Sequence, residues 1–142
     1  WNGEFETARY FLESESGNNY YFSRNHIDTN NFNKSDLHYN LGNLNLRMGD
    51  YRSSSRYYRG KKTYNSTLSS ILYGNTNTVC SENTASCYYL NAIAGARLGD
   101  EIRLFTNLEK AIQKSGSYKN EAVIDLEFKN YRDNEKFISL TK

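Results

Sequence analysis

The sequence predicts an all-α fold built from repeated helical hairpins, and three observations predict it. Leu37, Leu41, Leu44 and Met48 fall at i, i+4, i+7 and i+11, one apolar stripe along a helix. Glycine followed by Asn or Asp recurs at Gly17-Asn18, Gly49-Asp50, Gly74-Asn75 and Gly99-Asp100, the last three spaced 25 apart (74 − 49 and 99 − 74). Proline is absent, which suits long helices, and no convincing period-2 run argues for a strand.

The stretch Leu37–Arg59 carries the pattern best. Gly49 can take the left-handed conformation that closes one helix, and Asp50 is a good N-cap for the next. The returning helix turns Tyr51, Ser54 and Tyr57/Tyr58 back toward the first. Gly42 and Ser54 are small, so the two backbones can approach closely. One hairpin cannot bury its stripe alone, so neighbours are required.

Taken in order, hairpins are expected at about 1–32, 35–61, 62–84 and 86–114, with terminal helices over 118–142, all in one domain. The first holds Phe5, Ala8 and Leu12, then Tyr21, Phe22 and Ile27, with a polar, turn-like TNNFN after it. Ser35-Asp36 would cap the central hairpin. Tyr64–Tyr73 carries Leu68, Ile71 and Leu72, and Asn75–Ser86 reads as short and polar. Cys87–Leu98 holds Leu90, Ile93 and Ala94. Ile102–Gln113 is strongly amphipathic through Leu104, Phe105, Leu108, Ala111 and Ile112. Ser115-Gly116-Ser117 breaks it, and Lys119–Phe128 and Asn134–Leu140 would close the open end.

Composition bounds the rest. The 142 residues suffice for one core, the net charge is +2, and 37% of residues are hydrophobic, with 13 tyrosines able to supply part of the buried surface. So small a net charge gives no global pull toward nucleic acid or membrane. No apolar run reaches membrane-spanning length. The opening residue, Trp1, leads us to expect a processed product or a piece of a longer protein.

These residues resemble the tetratricopeptide repeats (TPRs). Leu41-Gly42 stands at the family's Leu-Gly pair, Gly49-Asp50-Tyr51 at its turn, and Tyr58 at its late aromatic, while Ser54 and Lys61 replace the usual alanines. Ala85–Ala111 resembles a second repeat through Tyr88, Gly99-Asp100 and Ala111, with Asn91-Ala92 in place of Leu-Gly. The segment around Gly74 matches only at its turn. Leu126-Glu127-Phe128 and Phe137 resemble the closing segment of some bacterial arrays, of the Bacteroidetes cell-envelope type. The resemblance implies a right-handed solenoid of about four hairpins with a capping tail. It implies a non-catalytic scaffold for a protein or peptide, in an extracytoplasmic compartment of a bacterium, with no cofactor. The alternative is a glycan-binding or surface-assembly component of the envelope, motivated by tyrosine rings that stack on sugars. Ligands would lie along Asp36, Tyr39, Asn43, Leu46 and Arg47, and along Tyr89, Ile93, Ala96 and Arg97.

Other candidate chemistry is sparse. Arg52, Arg56 and Arg59 share a helix face and join Lys61 and Lys62 in a basic patch, interleaved with Tyr51, Tyr57 and Tyr58. It would suit an acidic partner, or phosphates with stacked bases, or it is a solvated outer face. The near-neutral total charge and Asp50 weigh against nucleic acid. Cys80 and Cys87 would stand ~10 Å apart on one continuous helix, too far for a disulfide. A turn through Ser81–Thr84 would allow one, worth about 2–3 kcal/mol and implying an oxidising compartment. The other reading is two thiols packed as small apolar groups. No second cysteine pair and no nearby histidine argues for a metal. His26 and His38 are placed beside no nucleophile, and His38 stands where the repeat family has a core aromatic. Asn33-Lys34-Ser35 and Asn65-Ser66-Thr67 match the glycosylation pattern, which arises easily in an Asn-rich chain.

Overall fold

The computed structural model describes residues 7, 8, 10, 34–74 and 83–142. Among them every regular element is a helix: α1 (Lys34–Met48), α2 (Tyr51–Tyr57), α3 (Tyr64–Leu72), α4 (Ala85–Leu98), α5 (Glu101–Lys114), α6 (Ser117–Ile124), a 3₁₀ helix (Leu126–Tyr131) and α7 (Glu135–Thr141). The all-α expectation holds. The expected first hairpin, with His26, lies outside the described residues apart from Thr7, Ala8 and Tyr10, as do Asn33, Cys80 and most of the segment after Gly74. No helix among the described residues is long and apolar enough to cross a membrane.

The chain divides into two compact units, Trp1–Tyr73 and Gly74–Lys142. In the first, α1 packs on α2 and both pack on α3. Gly49, at φ 82°, ends α1, and the Asp50 carboxylate accepts from the Ser53 amide at 3.1 Å, so the turn residues do what their chemistry allows. Leu37, Leu41 and Leu44 are buried as the stripe requires, with Leu68, Ile71 and Leu72 of α3 completing the core. Gly42 is where the helices meet. A Cβ there would stand 2.7 Å from the Tyr58 ring, which lies flat against the glycine. Ser54, fully buried, donates its hydroxyl to the Gly42 carbonyl at 2.8 Å, which explains how a polar residue is accommodated in the core. Thr63 and Ser66 form a capping box at the start of α3.

In the second unit, α4 and α5 form the longer hairpin. Gly99 (φ 69°) and Asp100, whose carboxylate accepts from the Arg103 amide at 2.9 Å, repeat the turn. The close approach falls at Gly95. A Cβ there would come within 2.5 Å of the Leu104 backbone nitrogen. Leu104, Phe105, Leu108 and Ala111 of α5 are buried against Leu90, Ala92, Ile93 and Ala94 of α4.

The tail departs from the expected single helix over Lys119–Phe128. The chain leaves helical geometry at Asp125 (φ −66°, ψ 126°), and the Asp125 carboxylate accepts from the Glu127 amide at 3.0 Å to start the 3₁₀ turn. A short acidic side chain that can bond the backbone competes with helix continuation. The break folds Phe128 and Phe137 inward, while Leu126, read as part of the apolar closure, is 74% exposed. Ile102, in the first turn of α5, is 82% exposed.

Candidate functional site

The two units treat the ligand-lining positions implied by the resemblance differently. In the first unit α1 presents Asp36, Tyr39, Asn43 and Arg47. Asp36 and Arg47 are exposed, and Tyr39 and Asn43 are half-buried. Asn43 is the centre of the arrangement. Its side-chain oxygen accepts from the hydroxyl of Tyr58, the C-cap of α2, and from the Asn65 amide of α3, the latter at 2.7 Å. Three helices are thereby tied at one polar point. The Tyr39 ring meets the Tyr58 ring edge-on, with centroids 5.8 Å apart.

The Tyr58 hydroxyl is pushed up to about 12, chiefly because burial penalises the phenolate and secondarily through Tyr39; the Asn65 hydrogen bond and Arg47 pull it down. At neutral pH it is a donor, which is the role Asn43 requires. The result is a face with one aromatic ring, two amides and a guanidinium, supported from beneath by a buried phenol. Such a set can hold an extended chain through hydrogen bonds and aromatic contact.

Leu46 is a correction. It was placed among the lining residues, yet it is 4% exposed, in the core of its unit. At about 100° per residue it falls on the same side of α1 as Tyr39 and Asn43, opposite the Leu37–Leu44 stripe, so part of that side is covered.

In the second unit the corresponding positions are closed by the chain's own tail. Tyr89 is 1% exposed and Ile93 fully buried. The Tyr118 ring stacks on Tyr89 at 4.5 Å, Phe128 meets it edge-on at 5.6 Å, and the Tyr89 hydroxyl donates to the Asp125 carboxylate at 3.0 Å. Arg97 makes a bidentate pair with Glu127, at 2.7 Å from Nε and 2.5 Å from Nη2. The Ala96 carbonyl accepts from the Tyr131 hydroxyl at 3.4 Å. Tyr89, Ala96 and Arg97 therefore contact the segment from α6 through the 3₁₀ turn. Nothing local in the sequence signals this, because the partners lie some thirty positions downstream.

The basic patch does not act as one block. Arg52, Arg56, Arg59, Lys61 and Lys62 are all exposed, but Lys61 donates to the Ser35 hydroxyl at 2.5 Å, at the start of α1. Arg56 and Arg59 line a cleft with His38, Ser53 and Tyr57. His38 is half-buried, with its ring 5.8 Å from that of Tyr57. Sequence reasoning named His38 and the arginines separately and missed their convergence. The one available signal was that His38 and Tyr57 face each other across the hairpin.

Cys87 is disulfide-bonded, and the chain's other cysteine, Cys80, lies outside the described residues. No group of three or more His, Cys, Asp or Glu suited to a metal occurs among the described residues. No protein-family model matches the chain, and neither a curated protein nor a solved structure matches it.

Proposed function

We propose that this chain is a TPR-like scaffold that holds an extended protein or peptide segment without catalysing a reaction. The observation that carries the reading is the face of the first unit centred on Asn43. Tyr58 and Asn65 donate to one amide oxygen, fixing a polar point between three helices, while Tyr39 and Arg47 stand beside it with accessible surface. A preorganised face of this kind loses little entropy on binding, which is the main benefit a rigid helical array offers its ligand. Asn43 and Arg47 would bond the backbone of the bound chain, and Tyr39 would supply contact area. Hairpins that repeat the same Gly-Asp turn support the right-handed solenoid arrangement. The disulfide at Cys87 supports an oxidising, extracytoplasmic compartment, consistent with an envelope protein.

The test is a peptide array, followed by titration of the strongest binder against the wild type and the Tyr39→Ala/Arg47→Ala double variant. Both residues are accessible, so the variant should fold. We expect at least a tenfold loss of affinity. An unchanged affinity, or binding to a glycan array with no peptide bound, would overturn the reading.

A further inference from the structure

The cleft beside α2 is separate in its residues from the Asn43 face and has its own chemistry. It has a volume of about 500 Å³ and is lined by His38, Ser53, Arg56, Tyr57 and Arg59. That size falls in the range of small-molecule sites. None of these five described side chains is a carboxylate, so the two guanidinium charges are not answered within the described lining. Helical spacing alone does not make this set. Arg56 and Arg59 come from the end of α2 and the turn after it, Ser53 from its first turn, and His38 from α1.

The geometry points to a binding site for a small phosphate monoester. Two properties favour phosphate over a carboxylate. First, a phosphate monoester carries about −1.5 to −2 charges at neutral pH, which matches two arginines, whereas a carboxylate matches one. Second, each guanidinium presents a planar fork of N–H donors that pairs with two oxygens, and Ser53 and His38 add further polar groups. Three terminal phosphate oxygens can use such a donor set. A carboxylate, with two oxygens and one charge, pairs bidentately with one guanidinium at a time. The His38 and Tyr57 rings, with centroids 5.8 Å apart and planes inclined by 56°, place aromatic surface beside the arginines for a ring carried by the ester. A half-open cleft holding two accessible arginines binds more weakly as salt rises, since exposed charges are screened.

The probe is phenyl phosphate, with benzoate as the carboxylate control, both titrated into the full chain at one ionic strength and followed by NMR. Phenyl phosphate is expected to shift the ring signals of His38 and Tyr57 and to bind at least tenfold more tightly than benzoate. Arg56→Gln with Arg59→Gln should weaken phenyl phosphate at least tenfold, and Arg52→Gln, outside the cleft, should leave it unchanged. Helical circular dichroism of each variant checks its fold, and the wild-type ring shifts are read without any variant. Silent His38 and Tyr57 signals, equal affinity for benzoate, or a folded double variant that binds as the wild type does would each overturn the proposal.

Discussion

In α1–α2 the turn is Gly49 at φ 82° followed by Asp50, whose carboxylate holds the Ser53 amide; in α4–α5 it is Gly99 at φ 69° followed by Asp100, holding that of Arg103. Beyond this shared joint the hairpins diverge. All four buried polar side chains among the described residues, Asn45, Ser54, Ser66 and Ser69, lie in the first unit. The second buries only apolar side chains and aromatic rings, and its tail lies across Tyr89. The first keeps the matching positions, Tyr39 and Asn43, partly open. One hairpin design thus serves two ends. Where a chain's own aromatics cover the lining face, the face becomes core. Where a polar network holds the helices instead, Tyr39 and Asn43 keep part of their surface accessible.

The largest effect that would break this contrast is removal of the lid over the second unit. Phe128 is fully buried, meets Tyr89 edge-on and packs near Phe137 at 5.8 Å. Phe128→Ala is expected to cost about 3–5 kcal/mol by lost burial and a residual cavity. In native-state hydrogen exchange the amides of α4, α5 and α6 should exchange faster. Unchanged protection in α4 would show that the tail is only an appendage.

Next in size is the contact between paired helices. At Gly95 an added methyl meets the Leu104 backbone at 2.5 Å, while at Gly42 it meets the Tyr58 ring at 2.7 Å. A backbone shift displaces a whole helix, whereas the Tyr58 side chain can turn about its own bonds, at the expense of its hydrogen bond to Asn43. Gly95→Ala should therefore destabilise by about 2–3 kcal/mol, even after the gain from better helix propensity. Gly42→Ala should cost about 1 kcal/mol on the same reasoning. Denaturant midpoints of the two variants decide it, and the reverse order would sink the argument.

Much of this framework was legible in the sequence. The stripe Leu37–Leu44, the Gly-Asp joints and the late aromatic Tyr58 are local signals, set by a 3.6-residue period and by which residues tolerate a positive φ. Gly95 was not read as the close-approach residue. Asn91-Ala92 occupies the register where Gly42 stands in the first hairpin, and the contact had moved one turn along. The closure of Tyr89 by Tyr118, Asp125 and Phe128 was also invisible, because it depends on where a downstream helix stops. Asp125 offered a hint, as a residue that bonds backbone amides within an otherwise helical run. Leu46 shows the converse error. Position within a repeat placed it on the ligand face, while its burial comes from packing that the repeat pattern does not encode.

Tyr58 sharpens the contrast from the polar side. Its hydroxyl is held near 12 in the folded chain against 10.0 for an ordinary tyrosine, so the folded state keeps this proton more tightly than the unfolded one. The stabilisation is complete below pH 10 and fades as pH rises toward 12. Tyr118 is raised as well, by burial and then by Glu121, and contributes with the same sign. Tyr58→Phe should cost about 1 kcal/mol at neutral pH, since Asn43 loses one donor. It should also flatten part of the alkaline decline in melting temperature. An alkaline limb unchanged from wild type would mean that the phenol is not protected by its surroundings.

The smallest effect tests what the hairpins share. Asp50 and Asp100 make the same N-cap bond, at 3.1 Å and 2.9 Å, yet the helices they start differ in length: α2 runs Tyr51–Tyr57 and α5 runs Glu101–Lys114. A cap satisfies one amide that has no intrahelical partner, so its direct contribution is independent of helix length, about 0.5–1 kcal/mol in each case. What length changes is how far the loss spreads. α2 has two turns, so fraying its first turn loosens Ser54 and with it the bond to the Gly42 carbonyl. α5 is anchored beyond its first turn by Leu104, Phe105 and Leu108, all buried. Asp50→Ala and Asp100→Ala should therefore match in stability to within about 0.5 kcal/mol, while only Asp50→Ala broadens the NMR signals of Tyr58 and Asn43. If Asp100→Ala disturbs Tyr89 to the same degree, the apolar seal does not anchor the second hairpin independently of its cap.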